Sequence, residues 1–526
     1  MAGHLFIVRG NLLEVACDAV LIPTGVGTEG NGEVLPHWKD SRLVALGGYV
    51  KPAPTERRRI VLVTPFKSLQ EPAIWAGHTG AAGKNPAWFA AAAAAYVREA
   101  GISIRPGSGT SRPLDDARPL LALPLIGTGK GGMKRHKGEV VQAVVDAIDQ
   151  AQRDVDADVV LVLNNAEGYA AAQKARRRIG PRVWELLSSD QQQAAGELAR
   201  LARDERLVLF LGAGASIGAG LPSWGELLEQ LAQAALPNSD QRESLKKLDP
   251  RDAGDVLAGR FLEQGTSLAD QVCALTEAAR GSLTHQLLAS LPIHEAVTTN
   301  YDTLFERAWT NTGRKPRVLP RQDAQDASTW LLKLHGSVDD QRRIVLSRQD
   351  TLRLEGDGEA VSGVVQAMLL TRHMLFVGYS LSDDNFHRIV HQVRRGIGSP
   401  EQRPRGGSFG TALTPDAPGL TEELWADDIT FLSTASGQDT NVRRLAVLLD
   451  FIGAEAAAPA AHMLDDTYAS LLSPQELELR NRLLDVWSAL ENLESELPAS
   501  VTTTIEQALA RIGRPNVRRK TRSKHR

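Results

Sequence analysis

The stretch Arg206-Leu-Val-Leu-Phe-Leu-Gly-Ala-Gly-Ala-Ser-Ile-Gly-Ala-Gly-Leu-Pro-Ser-Trp224 decides how the rest of the chain is read. Leu207–Leu211 is a short apolar run stopped by Gly212, which predicts a buried strand, and the helical pattern beginning near Trp224 completes a strand–turn–helix. Such a turn offers free backbone N–H groups at a helix start, where a dinucleotide pyrophosphate is stabilised. Gly212 and Gly214 allow positive φ and let phosphate oxygens approach the main chain, while Ser216 can donate to an oxygen. The next glycines, Gly218 and Gly220, depart from the Gly-x-Gly-x-x-Gly spacing. By itself the turn fits either a nucleotide site or a tight strand-to-helix connection.

The chain has 526 residues, enough for two or three domains with cores of their own. Its formal net charge of −3 gives no general attraction to nucleic acid or to a phosphate-rich surface. With only 2 cysteines, Cys17 and Cys273, neither a disulfide framework nor a four-thiolate zinc site is expected, and both read as small core residues. No signal-peptide pattern opens the chain and no apolar run reaches membrane-spanning length; the Ala-rich helix expected at Trp88–Ala100 is interrupted by Arg98 and Glu99. A soluble, cytoplasmic protein without a membrane partner is expected.

Strands are expected at His4–Val8, Ala19–Thr24, Ile60–Thr64, Leu120–Ile126 and Asp158–Leu163, with helical stretches between them, which implies a mostly parallel sheet. The loop Gly25–Gly32 carries four glycines in eight residues, and Gly127-Thr-Gly-Lys-Gly-Gly-Met133 leads into a helix at Glu139–Arg153. Both follow strand carboxyl ends, where an open α/β sheet takes its ligand; a pair of flexible surface loops is the other possibility. Gly10-Asn11, Asp18–Thr24 and Leu123–Gly132 together resemble a macro domain, over about residues 1–185. The resemblance implies a three-layer domain that binds ADP-ribose or a cyclic or modified relative, through Asn11, Gly25, Gly127, Thr128, Gly129, Lys130 and Gly131. Asn11 stands where the family has an adenine-contacting Asp, and Pro23-Thr24-Gly25 replaces Ala-Ala-Asn. The second change removes an Asn associated with de-ADP-ribosylation, so a sensor is expected here, not a hydrolase.

After an amphipathic connector at Ser188–Glu205, a second domain spans 190–453, with further strands expected at Ala296–Thr299, Trp330–Leu334, Arg343–Leu346 and His373–Val377. Polar clusters end three of these strands: Thr298–Asp302, Lys333–Ser337 and Val377–Phe386. In one parallel sheet they would converge on a common edge. Gly212-Ala-Gly-Ala-Ser216, Thr299-Asn-Tyr-Asp302, Leu334-His-Gly336 and Gly378-Tyr-Ser-Leu381 resemble the sirtuin family in order and approximate spacing, over about residues 190–450. The resemblance implies a Rossmann-like domain. It assigns Gly212, Ala213, Gly214, Ser216, Thr299, Gly378, Ser380 and Leu381 to the binding of NAD. Asn300 and Asp302 would flank the nicotinamide ribose, and His335 would be the base. Deacetylating sirtuins follow their His-Gly with four zinc-binding cysteines, and Lys333–Leu352 contains none. The domain therefore looks closer to the zinc-free, sirtuin-like NAD hydrolases of bacterial antiphage systems, including the Thoeris effector.

The chemistry is consistent with that resemblance. Cleaving the nicotinamide–ribose bond passes through an oxocarbenium-like state, and the site needs a group to hold ribose and water, as Asn300 can, and a base near neutrality, as His335 can be. His285, His294, His373 and His387 read as structural or solvated. Ala454–Ala461 reads as an Ala/Pro linker with little core potential. The segment 462–526 is expected to be helical, with Leu483, Trp487, Leu490, Leu493 and Leu497 on one face. That stripe would pack on the second domain or form a homo-oligomer contact. The tail Arg511–Arg526, with eight Lys/Arg, reads as solvated, and nucleic acid is not expected as a partner. The expected protein is an NAD hydrolase of antiviral defence, with NAD as substrate, no zinc and an ADP-ribose-derived signal at its first domain. Two alternatives are an NAD-dependent deacylase or ADP-ribosyltransferase, and a non-catalytic sensor.

Overall fold

The computed structural model describes residues 3–513 apart from 27–31, 35–37, 39, 46–48, 51–52, 56, 79–83, 105–117, 130–131, 358, 398–407, 436–440, 459 and 494–496. The first sheet is built from β1 Leu5–Arg9, β2 Ala19–Val26, β3 Gly32–Val34, β4 Tyr49–Val50, β5 Ile60–Thr64, β6 Ala73–His78, β7 Leu120–Pro124 and β8 Asp158–Leu163. Strands β1, β8, β7 and β2 lie side by side in parallel; β6 joins β2 in parallel, and β5 and the β3–β4 pair close the far side antiparallel. Its central strands are continuous apolar runs because both faces are covered. Leu5, Ile7, Leu121, Leu123, Val159 and Leu161 share a core with the helices Pro86–Ser103 and Lys137–Ala151, and the alternating residues Phe6, Val8, Val160 and Val162 enter a different core.

The second sheet is wholly parallel: β9 Leu207–Leu211, β10 Glu295–Thr298, β11 Arg317–Leu319, β12 Trp330–Lys333, β13 His373–Val377, β14 Gly410–Thr414 and β15 Ile429–Ser433, in the order β11-β12-β10-β9-β13-β14-β15. Val208, Phe210, Met374 and Phe376 pack on the outer helices Glu359–Thr371 and Asp384–Ile397. Leu207, Leu209, Leu211, Leu375 and Val377 point the other way, into the core that also receives Phe6 and Val8 of the first sheet. Three helices, Ser189–Arg203, Leu283–Ser290 and Asn441–Ala456, supply residues to that shared core. Both sheets are thus joined through a common helical layer, and the α/β architecture with two parallel-rich sheets is the one expected.

Charge pins the layers where apolar contact cannot. Arg443 donates from Nε and Nη2 to the Asp158 carboxylate, 2.8 Å each, and Asp450 accepts from His4 at 2.8 Å and from Arg176. Burial raises both carboxyl groups, and the facing cations outweigh it, so both stay below the usual range. Removing one member of such a buried pair costs about 3–5 kcal/mol, because the other charge is left alone in the interior.

Several expectations change. Arg343–Leu346 is not a strand: Gln341–Arg343 is a 3-10 turn, and Tyr301 Oη takes the Val345 carbonyl at 2.7 Å, while Ile344 and Leu346 sink into the core of a helical subdomain. Strand β6 lacks alternation because both its faces are buried, and β14 and β15 extend the second sheet past the last expected strand. The first half of Ala454–Ala461 is no linker, since Ala454, Ala456 and Ala457 are buried at and just beyond the end of the Asn441–Ala456 helix. Of the expected stripe on the helix Pro474–Leu493, Leu490 is buried and Leu493 is 42% exposed. Residues 514–526 of the basic tail lie outside the described residues. No described helix is long and apolar enough to cross a membrane.

Candidate active site

Because β12, β10, β9 and β13 are neighbours running in one direction, the residues that follow them share one edge. The loop after β9 and the loop after β13 interlock. Gly212 N–H donates to the Val377 carbonyl (3.1 Å) and Gly214 N–H to the Gly378 carbonyl (2.9 Å). Neither Gly212 nor Gly214 takes the positive φ that glycine allows. They are glycines for another reason: a Cβ on Gly212 would lie 2.5 Å from Gly378 O, and one on Gly214 2.7 Å from Gly378 Cα. The positive φ falls instead on Gly378 (+64°) and, later in the same loop, on Leu381 (+58°), a buried side chain held in a conformation costing about 1–2 kcal/mol. The amides of Gly212, Gly214, Ala215 and Ser216 are all spent on internal carbonyls, which leaves Ala213 N–H out of that set.

Asn300 sits just past β10 and is fixed by three bonds. Its main-chain N–H donates to Thr298 Oγ1 (3.0 Å), and its Nδ2 donates to Gly212 O (3.0 Å) and to Ser216 Oγ (3.1 Å). With both amide hydrogens committed, Oδ1 faces away; it is buried and accepts no hydrogen bond from the described residues. An unfilled acceptor in such a place carries a desolvation cost that a ligand hydroxyl or water relieves. Thr299 N–H donates to Leu211 O (3.2 Å). Asp302 lies behind this loop: Oδ2 accepts from Ser216 Oγ (2.8 Å) and Oδ1 from Leu304 N (3.0 Å), at the start of the helix Leu304–Asn311. Both its oxygens serve the scaffold.

His335 follows β12 and pairs through Nε2 with Asp383 Oδ2 at 3.0 Å. Burial raises the Asp383 carboxyl, but the hydrogen bond and charge of His335 and the amides of Phe386 and Asn385 outweigh it and hold it at about 2. Below the edge, Lys333 Nζ is buried and reaches Glu306 Oε1 (2.9 Å), Ser337 Oγ (3.0 Å) and the carbonyls of Tyr301 and Asp302. Asp383 and Lys333 both lie in the polar clusters visible in the sequence, yet their partners are set only by the fold. Ser380 is exposed, with its hydroxyl 2.6 Å from that of Ser382.

At the carboxyl edge of the first sheet, Gly25 is the last residue but one of β2 and Gly127, Thr128 and Gly129 follow β7, its neighbour; Asn11 follows β1, which β8 separates from β7. Asn11 Oδ1 caps the 3-10 turn Leu12–Glu14 by accepting from Leu13 N (3.1 Å). Gly127 has φ +95°, and a Cβ there would strike the Phe89 ring at 2.6 Å, whereas one on Gly129 would meet nothing within 4 Å. Lys130, Gly131 and residues 27–31 lie outside the described residues. Trp88, not singled out from the sequence, flanks the end of β6, with Arg59 and Lys84 over its ring at 4.0 and 4.2 Å.

Residues 294–432 match the SIR2-like domain family, a span that holds Asn300, Asp302, His335, Gly378 and Asp383. The chain is 32% identical over 193 residues to the NAD(+) hydrolase ThsA of Enterococcus faecium, covering 35% of this chain and 39% of that protein. It is 24% identical over 229 residues to Defense-associated sirtuin 2 of Bacillus subtilis, covering 40% of this chain and 22% of that one. The chain thus spans less than half the length of these relatives. Among solved structures, the Oceanobacillus iheyensis macrodomain with ADP aligns over 33% of this chain and 90% of its own at 18% identity, with a TM-score of 0.23.

Proposed function

We propose that the second domain hydrolyses NAD to ADP-ribose and nicotinamide. The observation that carries this reading is Asn300, whose amide is oriented by Gly212 and Ser216 so that a buried acceptor is left open between the loops of β9 and β12. That acceptor holds a ribose hydroxyl or the attacking water. The glycosidic C–N bond breaks with its electron pair leaving on nicotinamide, a neutral leaving group; water oxygen bonds the anomeric carbon, and His335 takes the water proton. Asp383 orients the imidazole and stabilises it once protonated. Ala213 N–H and the Ser380 hydroxyl, on facing loops, contact the pyrophosphate. Support also comes from relatives named as NAD(+) hydrolases.

The first domain takes an ADP-ribose-derived signal at its glycine-rich edge, and NAD depletion by the second serves antiviral defence, a role favoured by the relative named as a defence-associated sirtuin. The reading is tested by incubating purified protein with NAD alone and with an acyl-lysine peptide. Equal amounts of nicotinamide and ADP-ribose without peptide support it. Turnover that requires the peptide replaces it with a deacylase, and NAD that binds but stays intact, with or without added ADP-ribose derivatives, replaces it with a sensor.

A further inference from the structure

The helix Leu283–Ser290 stands between the two sheets, and its adjacent residues His285 and Gln286 face different domains. His285 is fully buried, and its bonds fix its protons. The Ser282 main-chain N–H can only donate, and it points at His285 Nδ1 (3.1 Å). With that donor, Nδ1, which also has Ser282 Oγ at 3.0 Å, is assigned as the unprotonated nitrogen, and Nε2, 3.4 Å from Ser216 Oγ, as the one that carries the proton. Ser216 Oγ then accepts from Asn300 Nδ2 and from His285 Nε2 and donates to Asp302 Oδ2, which uses all its capacity. Burial keeps the imidazole below its ordinary value in spite of the Asp302 carboxylate, consistent with a neutral ring.

The anchor of this ring reaches the first domain. Ser282 Oγ donates to Ala215 O (2.7 Å) in the glycine loop. The preceding Gly281 exchanges bonds with the turn capped by Asn11: its N–H donates to Glu14 O (2.9 Å) and its carbonyl accepts from Ala16 N (2.8 Å). Gln286 Nε2 donates to the same Glu14 carbonyl at 3.4 Å, and a Cβ on Gly10 would press on Gln286 Oε1 at 2.9 Å. We infer that His285 is a positioning residue which, through Ser216, sets the direction of the Asn300 amide, and that its seat is held by the Gly10–Ala16 segment of the first domain. The inference rests on the hydrolase reading for its catalytic consequence, but not for the geometry of the loop.

Amide hydrogen exchange and steady-state kinetics on the full chain test it together. His285→Leu removes the donor to Ser216, and His285→Gln returns an N–H near the Nε2 position. The expected result is exchange over residues 211–217 about tenfold faster in the leucine variant and near wild type in the glutamine variant. Nicotinamide release should follow, with kcat down about 10- to 100-fold for leucine, KM for NAD within about twofold, and most activity regained with glutamine. Should the leucine variant fail to fold, Ser282→Ala, which keeps the imidazole and removes the hydroxyl that bonds Ala215 O, the His285 main-chain N–H and His285 Nδ1, takes its place. Unchanged exchange in the leucine or alanine variant, or glutamine as impaired as leucine, overturns the inference. If wild-type protein releases no nicotinamide, the hydrolase reading falls and the exchange comparison still decides the positioning role.

Discussion

A Cβ added to Gly212 at the edge of the second sheet would collide with Gly378 O at 2.5 Å, whereas one added to Gly129 at the edge of the first would meet nothing within 4 Å. The second edge is locked: the amides of Gly212, Gly214, Ala215 and Ser216 are bonded internally, and Asn300, Ser216, Asp302 and His285 form one network in which Asn300 Oδ1 is left open. At the first, Arg59 and Lys84 flank the Trp88 ring, and the space beside Gly129 is unfilled by the described residues. Rigid, prepaid geometry suits a site that must stabilise a transition state, and an adaptable edge suits one that captures a ligand and responds to it. A shared helical layer joins the two.

The contrast is broken most severely at the chemistry itself. Asn300→Ala and His335→Ala should each lower nicotinamide release about 10²- to 10⁴-fold with NAD affinity largely kept, as followed by product chromatography and calorimetry. Next in size is Gly378→Ala. Its φ of +64° and a Cβ only 2.3 Å from Ala215 N predict a loss of about 3 kcal/mol or more in denaturant unfolding.

A smaller effect is tied to pH. Asp383 lies at about 2 against an ordinary 3.8, so its contribution is fully present above the unfolded value and disappears as pH falls from there toward 2. Asp383→Asn should then cost about 2 kcal/mol at neutral pH and almost nothing near the acid end, read from unfolding curves across that range. The smallest effect sharpens the comparison from the other side. Gly129→Ala should change stability by no more than about 0.5 kcal/mol, and a larger loss would show that the first edge is locked as well.

Much of this edge was legible because parallel strands carry their ends to one place: the glycine loop, Asn300, His335 and Gly378 are separated in sequence and neighbours in the fold. What sequence could not supply was who pairs with whom. Gly212 and Gly214 looked like positive-φ glycines, and they are small because a second loop lies against them. His285 read as one structural histidine among several, and its Ser282 seat becomes visible only when the helix is capped. Asp383 and the Lys333–Glu306 pair owe their roles to strands far apart in the chain. Arg343–Leu346 had the apolar content of a strand, but Tyr301 claimed its backbone.

The central claim is that the locked edge breaks the glycosidic bond of NAD. It is met most directly by a single-turnover experiment with protein in excess over NAD, wild type beside Asn300→Ala at matched occupancy. The account predicts one nicotinamide and one ADP-ribose per NAD from wild type and a rate lower by about 10² or more from the variant. Equal rates from the two proteins, or intact NAD recovered from saturated wild type with and without ADP-ribose derivatives, would contradict it.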